Sequence, residues 1–127
     1  IGEHICALRL LKMHVPCSII NVGTSDIVAE CEGRMWRIQV KSSVAKRRSR
    51  DRIDVGYQFM TSKGGKKTPL TEEDCDIVAM VSIELERVWF VPVHKLRNSV
   101  SKRKTVASFT EGITEETWQD TMSYFGF

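Results

Sequence analysis

The chain has 127 residues, 42% of them hydrophobic and 28% charged, with a formal net charge of +3. That is enough for one buried core but not two, and the composition is that of a globular domain rather than a disordered or collagen-like chain. No run approaches the roughly 20 apolar residues of a membrane span. Cys6, Cys17, Cys31 and Cys75 contain no CxxC pair and share no ligand spacing with His4, His14 or His94, which favours reduced thiols in an intracellular protein over a disulfide framework or a zinc site. No signal peptide is visible, and the chain opens with Ile1, so its start is open to trimming.

In chain order, residues 2–14 read as a helix, with Ile5, Leu8 and Leu11 at helical spacing and Pro16 ending it. A strand is predicted over 18–22 and a turn near Gly23. A second strand covers 26–31, and Glu32-Gly33 is a hairpin turn into a third strand over 35–43. In that strand Trp36, Ile38 and Val40 fall on one face, and Arg37, Gln39 and Lys41 on the other. Residues 44–54 are too charged for a core element and read as a loop. Residues 57–61 suit a short strand, and 62–69 read as a mobile loop. Thr71 then reads as an N-cap, with Glu72, Glu73 and Asp74 as an acidic first turn. Residues 76–83 and 87–91 form a hairpin turning near 84–86, and Pro92 stops its second strand. Lys102, Arg103 and Lys104 fall in another loop. Thr114-Glu115-Glu116 caps a last helix whose Trp118, Met122 and Phe125 share a face. This order predicts an α/β (α+β) sandwich around a mixed sheet, without repeats or linkers.

The charge is uneven. Residues 41–67 carry nine Lys/Arg against Asp51 and Asp54, a local +7 that leaves −4 for the rest of the chain. A block of this kind suits a phosphate-backbone partner, although a solvated loop is the plainer reading of a charge run taken alone. Four polar residues next to it stand where patterning alone does not call for them. Asp26 opens a strand, Gln39 and Lys41 share a face at i and i+2, and Glu3 aligns with Ala7 and Leu10 on the first helix. A helix lying over the hairpin would bring the four together. Hydrolysis of a phosphodiester calls for a cation held by one or two carboxylates and other oxygens, and magnesium is the usual choice. In that reading Asp26 is the principal ligand, Gln39 offers a neutral amide oxygen, and Glu3 completes the outer shell or binds a second ion. Lys41 orients or helps deprotonate the attacking water, or stabilises the pentavalent phosphate. Taken singly, each has a plainer alternative. Asp26 suits a turn, Glu3 suits a helix N-terminus, Gln39 suits a polar surface and Lys41 can snorkel from a strand end.

Together these residues resemble the PD-(D/E)XK nuclease superfamily, and within it the homing endonucleases of group I introns, in which glutamine takes the second acidic position. GEHICALRLL (2–11) is similar to the opening helix, SDIVAECEGRMWRIQVKSS (25–43) to the catalytic hairpin, and EDCDIVAMVSIELERVWFVPV (73–93) to the later core strands. Ser25 departs from the proline that names the motif.

The resemblance implies a restriction-endonuclease-like core, a mixed sheet flanked by helices, with the catalytic places taken by Glu3, Asp26, Gln39 and Lys41. Of these, Asp26, Gln39 and Glu3 would be the metal ligands, for magnesium with manganese able to substitute. It is expected to be one domain over 1–127, with its core over 2–95 and a helical extension over 96–127. The implied activity is hydrolysis of double-stranded DNA by a site-specific homing endonuclease of bacterial or phage origin, acting as a homodimer or homotetramer. Contacts to DNA are expected from Lys46, Arg47, Arg48, Arg50, Arg52, Lys63, Lys66 and Lys67, with the 99–104 segment a further candidate. The alternatives are a Holliday-junction resolvase on the same core and a non-catalytic DNA-binding domain.

Overall fold

The computed structural model describes residues 1–23, 25–47, 55–63 and 68–127. Helix α1 (Gly2–Lys12) leads into β1 (Cys17–Val22), β2 (Ser25–Cys31) and β3 (Arg34–Ser43). The short β4 (Lys46–Arg47) and β5 (Val55–Met60) follow, then β6 (Ile77–Ser82), β7 (Arg87–Pro92), β8 (Ser101–Thr105) and helix α2 (Ile113–Tyr124). The strands form a five-stranded sheet in the order β1-β2-β3-β6-β7 and a three-stranded sheet in the order β4-β5-β8. The larger sheet is mixed, because β3 and β6 run parallel while its other neighbours are antiparallel. The predicted mixed sheet flanked by helices is therefore what the chain forms.

Local chemistry accounts for the joins. The β2–β3 hairpin closes through Glu32 (φ 56°) and Gly33 (φ 70°), a two-residue turn whose paired positive φ values match the twist of the flanking strands. One face of the large sheet buries Ile27, Ala29, Trp36, Ile38 and Ala79 against Ile5, Cys6 and Leu10 of α1 and Trp118 and Met122 of α2. The other face buries Val78 and Met80 against Tyr57 and Phe59 of the small sheet, with Phe109 and Ile113. Strand β6 is covered on both sides and is buried throughout, as a central strand with a parallel neighbour must be. The Tyr57 hydroxyl and Ser82 Oγ, 2.7 Å apart, join the two sheets inside the second core.

Four local expectations are corrected. Thr71 closes a single turn rather than a helix. Its N–H donates to Asp74 Oδ2 at 2.9 Å and its carbonyl accepts from the N–H groups of Asp74 and Cys75. The Asp76 N–H then donates to the Arg37 carbonyl, and that draws the chain into the parallel ladder before a second turn can form. Residues 102–104 are part of strand β8, not a loop, so the segment beyond 95 is not purely helical. Likewise Lys46 and Arg47, expected in a loop, pair with β5. Thr114 does not cap α2, which begins after Gly112. Instead the hydroxyls of Thr114 and Thr117 accept from the N–H groups of Val88 and Phe90 at 3.0 Å, so the helix covers the outer edge of β7 and satisfies its donors. The next residue in that edge series is Pro92, which has no N–H to give, and Thr121 Oγ1 lies buried without a partner among the described residues.

Candidate active site

The candidate residues sit where β2 and β3 part. The paired register of the two strands runs from Cys31↔Arg34 to Ile27↔Ile38 and stops there. Beyond it the Val40 N–H has a side chain as its acceptor: Asp26 Oδ2 lies 2.8 Å away. The carboxylate is therefore fixed to the backbone between Gln39 and Lys41. Its second oxygen has no hydrogen bond among the described residues. Ser25, in the position of the motif's proline, is buried and donates to the Asp74 carbonyl at 3.2 Å, which anchors the start of β2 beside Asp26.

Gln39 and Lys41 share a face by strand alternation, and their parallel partners Val78 and Met80 identify it as the face turned toward the small sheet. Gln39 Oε1 is buried and has no hydrogen-bond partner among the described residues. A buried acceptor left without a donor is costly, and an amide oxygen beside a carboxylate is a donor set that a hard cation such as magnesium accepts. The Gln39 backbone N–H approaches the Cys75 thiol, which burial pushes up to about 12, so that cysteine stays a neutral thiol there. Lys41 Nζ donates to the Ser62 carbonyl at 3.1 Å. An ammonium has three donors, so this bond aims the group and leaves two for other acceptors.

Glu3 arrives from the other side. Helix α1 packs on the face carrying Ile38 and Val40, and a Cβ on Gly2 would stand 2.8 Å from Ser42 Cβ. Gly2 therefore lets the N-terminus of α1 settle onto the end of β3. The Cys6 thiol, one turn after Glu3, is pushed up by burial first and then by the charges of Cys17 and Asp26, so this side of the helix lies within the field of the Asp26 carboxylate. No hydrogen bond or ion pair among the described residues joins Glu3 to Asp26, Gln39 or Lys41. Asp26 is thus bonded to the backbone between Gln39 and Lys41, and Glu3 belongs to the helix that packs on the other face of the same strand. No group of three or more His, Cys, Asp or Glu side chains is placed to hold a metal among the described residues. Any metal held here would rely on the glutamine amide as well as carboxylates.

One residue of the site's surroundings was not singled out from the sequence. Asp74 is 8% exposed and pairs with Lys63 at 3.0 Å. Burial pushes its carboxyl up, but the Thr71 N–H, Lys63 and the Thr71 hydroxyl together hold it below the usual carboxylate range. Its only advance signal was the Thr71–Asp74 capping pattern. Lys63, expected on DNA, is thus occupied at the base of the 62–69 segment, whose ends bridge at Ser62 and Pro69. Arg48, Arg50, Arg52, Lys66 and Lys67 lie outside the described residues, and Lys46 and Arg47 are described only as the backbone of β4.

Comparison with known proteins shows the family and the fold. Residues 5–116 match the family model of the PD-(D/E)XK endonucleases. The fold is similar to that of a bacterial homing endonuclease, I-Ssp6803I, with a TM-score of 0.66 over 97% of this chain and 90% of that one. Sequence identity between the two is 17%, so the likeness is one of fold. No curated protein sequence matches the chain.

Proposed function

The chain belongs to the PD-(D/E)XK endonuclease family, and on that footing we propose that it is a magnesium-dependent, site-specific double-stranded DNA endonuclease of the homing type. The observation that carries this reading is the Asp26–Val40 bond, which fixes the carboxylate at the backbone between Gln39, whose buried Oε1 has no partner among the described residues, and Lys41, whose ammonium is aimed by the Ser62 carbonyl. Magnesium, when bound, supplies charge neutralisation at the scissile phosphate and a sharpened water nucleophile. Asp26 would hold it, with Gln39 Oε1 as a neutral second oxygen and Glu3 joining through the outer shell from the opposite face. Lys41 directs a proton donor at the reacting phosphate, either stabilising its added charge or orienting the attacking water. Lys46, Arg47, Arg48, Arg50, Arg52, Lys66 and Lys67 would contact phosphates. One site cuts one strand, so a double-strand break calls for at least two copies related by symmetry.

The test is incubation with supercoiled plasmid carrying randomised duplex inserts, and separately with a four-way junction, in magnesium or in EDTA. Cutting at one defined duplex site in magnesium alone is the expected result. Cutting of the junction only would replace this reading with junction resolution, and binding without any cutting would replace it with a non-catalytic module. Gln39→Glu adds a charge at the cation and should retain cleavage, with magnesium required at lower concentration; a magnesium requirement identical to that of the wild type would remove Gln39 from the ligand set.

A further inference from the structure

The small sheet has two unlike faces. Tyr57 and Phe59 are buried in the second core, and their cross-strand partners Lys104 and Lys102 share that inner side. Lys104 Nζ lies 3.7 Å from the centre of the Trp89 ring, so its charge is partly spent on that aromatic face. The outer face carries the alternate residues, Gln58 opposite Arg103 and Met60 opposite Ser101. Gln58 and Arg103 are exposed, and Met60 is 50% exposed. Neither Gln58 nor Arg103 has a hydrogen bond or ion pair among the described residues. Other arginines are occupied within the fold: Arg9 by Glu115, Arg37 by Asp76, Arg87 by the Phe109 carbonyl.

We infer that the exposed face of β5 and β8 enters the major groove of duplex DNA, where the paired Gln58 and Arg103 read two neighbouring bases. The inference rests on the reading of the chain as a DNA endonuclease. A β-ribbon fits the major groove, arginine pairs bidentately with guanine O6 and N7, and glutamine pairs with adenine N6 and N7. The charge is complementary to the partner: Arg103 is an exposed cation of this face, and the sequences of β4, β5 and β8 contain no Asp or Glu. The position is right as well. Strand β5 ends at Met60, and Ser62, two residues on, holds Lys41 through its carbonyl. Gln58 is four residues before Ser62, about 13 Å of extended chain, or roughly four base steps along a strand at 3.4 Å each. The bases read would lie within that distance of the cut bond, beside Met60, whose apolar side chain suits a thymine methyl.

The experiment is a binding selection from a randomised duplex library in EDTA, with the retained fraction sequenced for the wild type, Gln58→Ala, Arg103→Ala and Arg103→Lys. All three substitutions are at exposed positions, and thermal melting checks that the fold is kept. The wild type should enrich one motif. Gln58→Ala and Arg103→Ala should each lose about tenfold to hundredfold preference at one or two adjacent base pairs. Arg103→Lys should lose the same positional preference while overall affinity is largely kept, because lysine retains the charge but not the two-pronged geometry. Unchanged motifs in all variants, with a clear wild-type motif, would overturn the inference and leave the endonuclease reading intact. A wild type that enriches no duplex above background would instead overturn the site-specific endonuclease reading, and this inference with it.

Discussion

The two sheets of this protein are built on opposite terms. The large sheet is packed on both faces around β6, and its few polar side chains with unmet valences lie where β2 and β3 separate. The small sheet is packed on one face only, by two aromatic residues of β5, and its other face is polar. A strand pinned on both sides holds side chains to the tolerance that chemistry needs. A strand with one free face can present residues to a partner, because substitutions there disturb no packing. The proposed division is therefore reaction on the large sheet and recognition on the small one. Lys41 is the hinge between them, since it grows from β3 and is aimed by Ser62, two residues past the end of β5.

That division can be broken most sharply at the reacting groups. Lys41→Ala and Asp26→Ala should each lower single-turnover cleavage roughly a thousandfold, about 4 kcal/mol of transition-state stabilisation. DNA affinity measured in EDTA should stay close to that of the wild type. Near-normal cleavage by either variant would detach the chemistry from this sheet. Next in size are the two cores. Trp36→Ala on one face and Phe59→Ala on the other should each cost about 3–5 kcal/mol in denaturant unfolding. Each should do so in a single transition, because the Tyr57–Ser82 bond and the shared cluster tie the small sheet to the large one. A second transition in Phe59→Ala alone would show the small sheet to be a separate unit.

The same contrast governs what could be read from the sequence. The large sheet was legible because its strands alternate or run apolar, and because Glu32-Gly33 is a turn that only a hairpin needs. Asp26, Gln39 and Lys41 could be found because polar residues on a patterned strand break the pattern. The side from which Glu3 approaches was not legible, since helical spacing gives a stripe but not the face of the sheet it covers. Strand β8 escaped because S-K-R-K-T has no apolar alternation; its place comes from pairing with β5, a contact more than 40 residues away in sequence. The Thr71 turn was read from a true capping signal, but a signal for starting a helix does not fix its length. Thr114 carried the same kind of signal, and its hydroxyl serves a strand edge that no local pattern shows.

Asp74 joins the two regions and offers a smaller, pH-dependent effect. Its carboxylate takes the Thr71 N–H and Lys63, while its carbonyl takes Ser25. Asp74→Ala should cost about 1–3 kcal/mol by stranding the Thr71 N–H and Lys63, while the carbonyl that takes Ser25 is kept. Because the carboxyl is held below its ordinary value when folded, its contribution is present above the unfolded value of about 3.9 and is lost as pH falls through the lower folded one. The difference in stability between the wild type and Asp74→Asn should therefore shrink as unfolding is measured from pH 6 toward pH 2. A difference that is constant over that range would mean that the carboxylate's charge does not matter there.

The smallest effect is the one most specific to the comparison. Lys46 lies on β4, in a strand with no acidic residue, whereas Glu30 is an exposed residue of β2 in the large sheet. If the small sheet alone meets the duplex, Lys46→Ala removes one of the proposed phosphate contacts and should flatten the slope of log affinity against log salt by about 0.9. Glu30→Gln raises the net charge by the same one unit that Lys46→Ala removes, yet should leave the slope unchanged, because it alters no contact with phosphate. Measured by fluorescence anisotropy on one duplex across a salt series, the pair separates local contact from overall charge. Equal and opposite shifts in affinity with no change of slope in either would mean that DNA senses only net charge, and the small sheet would lose its claim to be the reading surface.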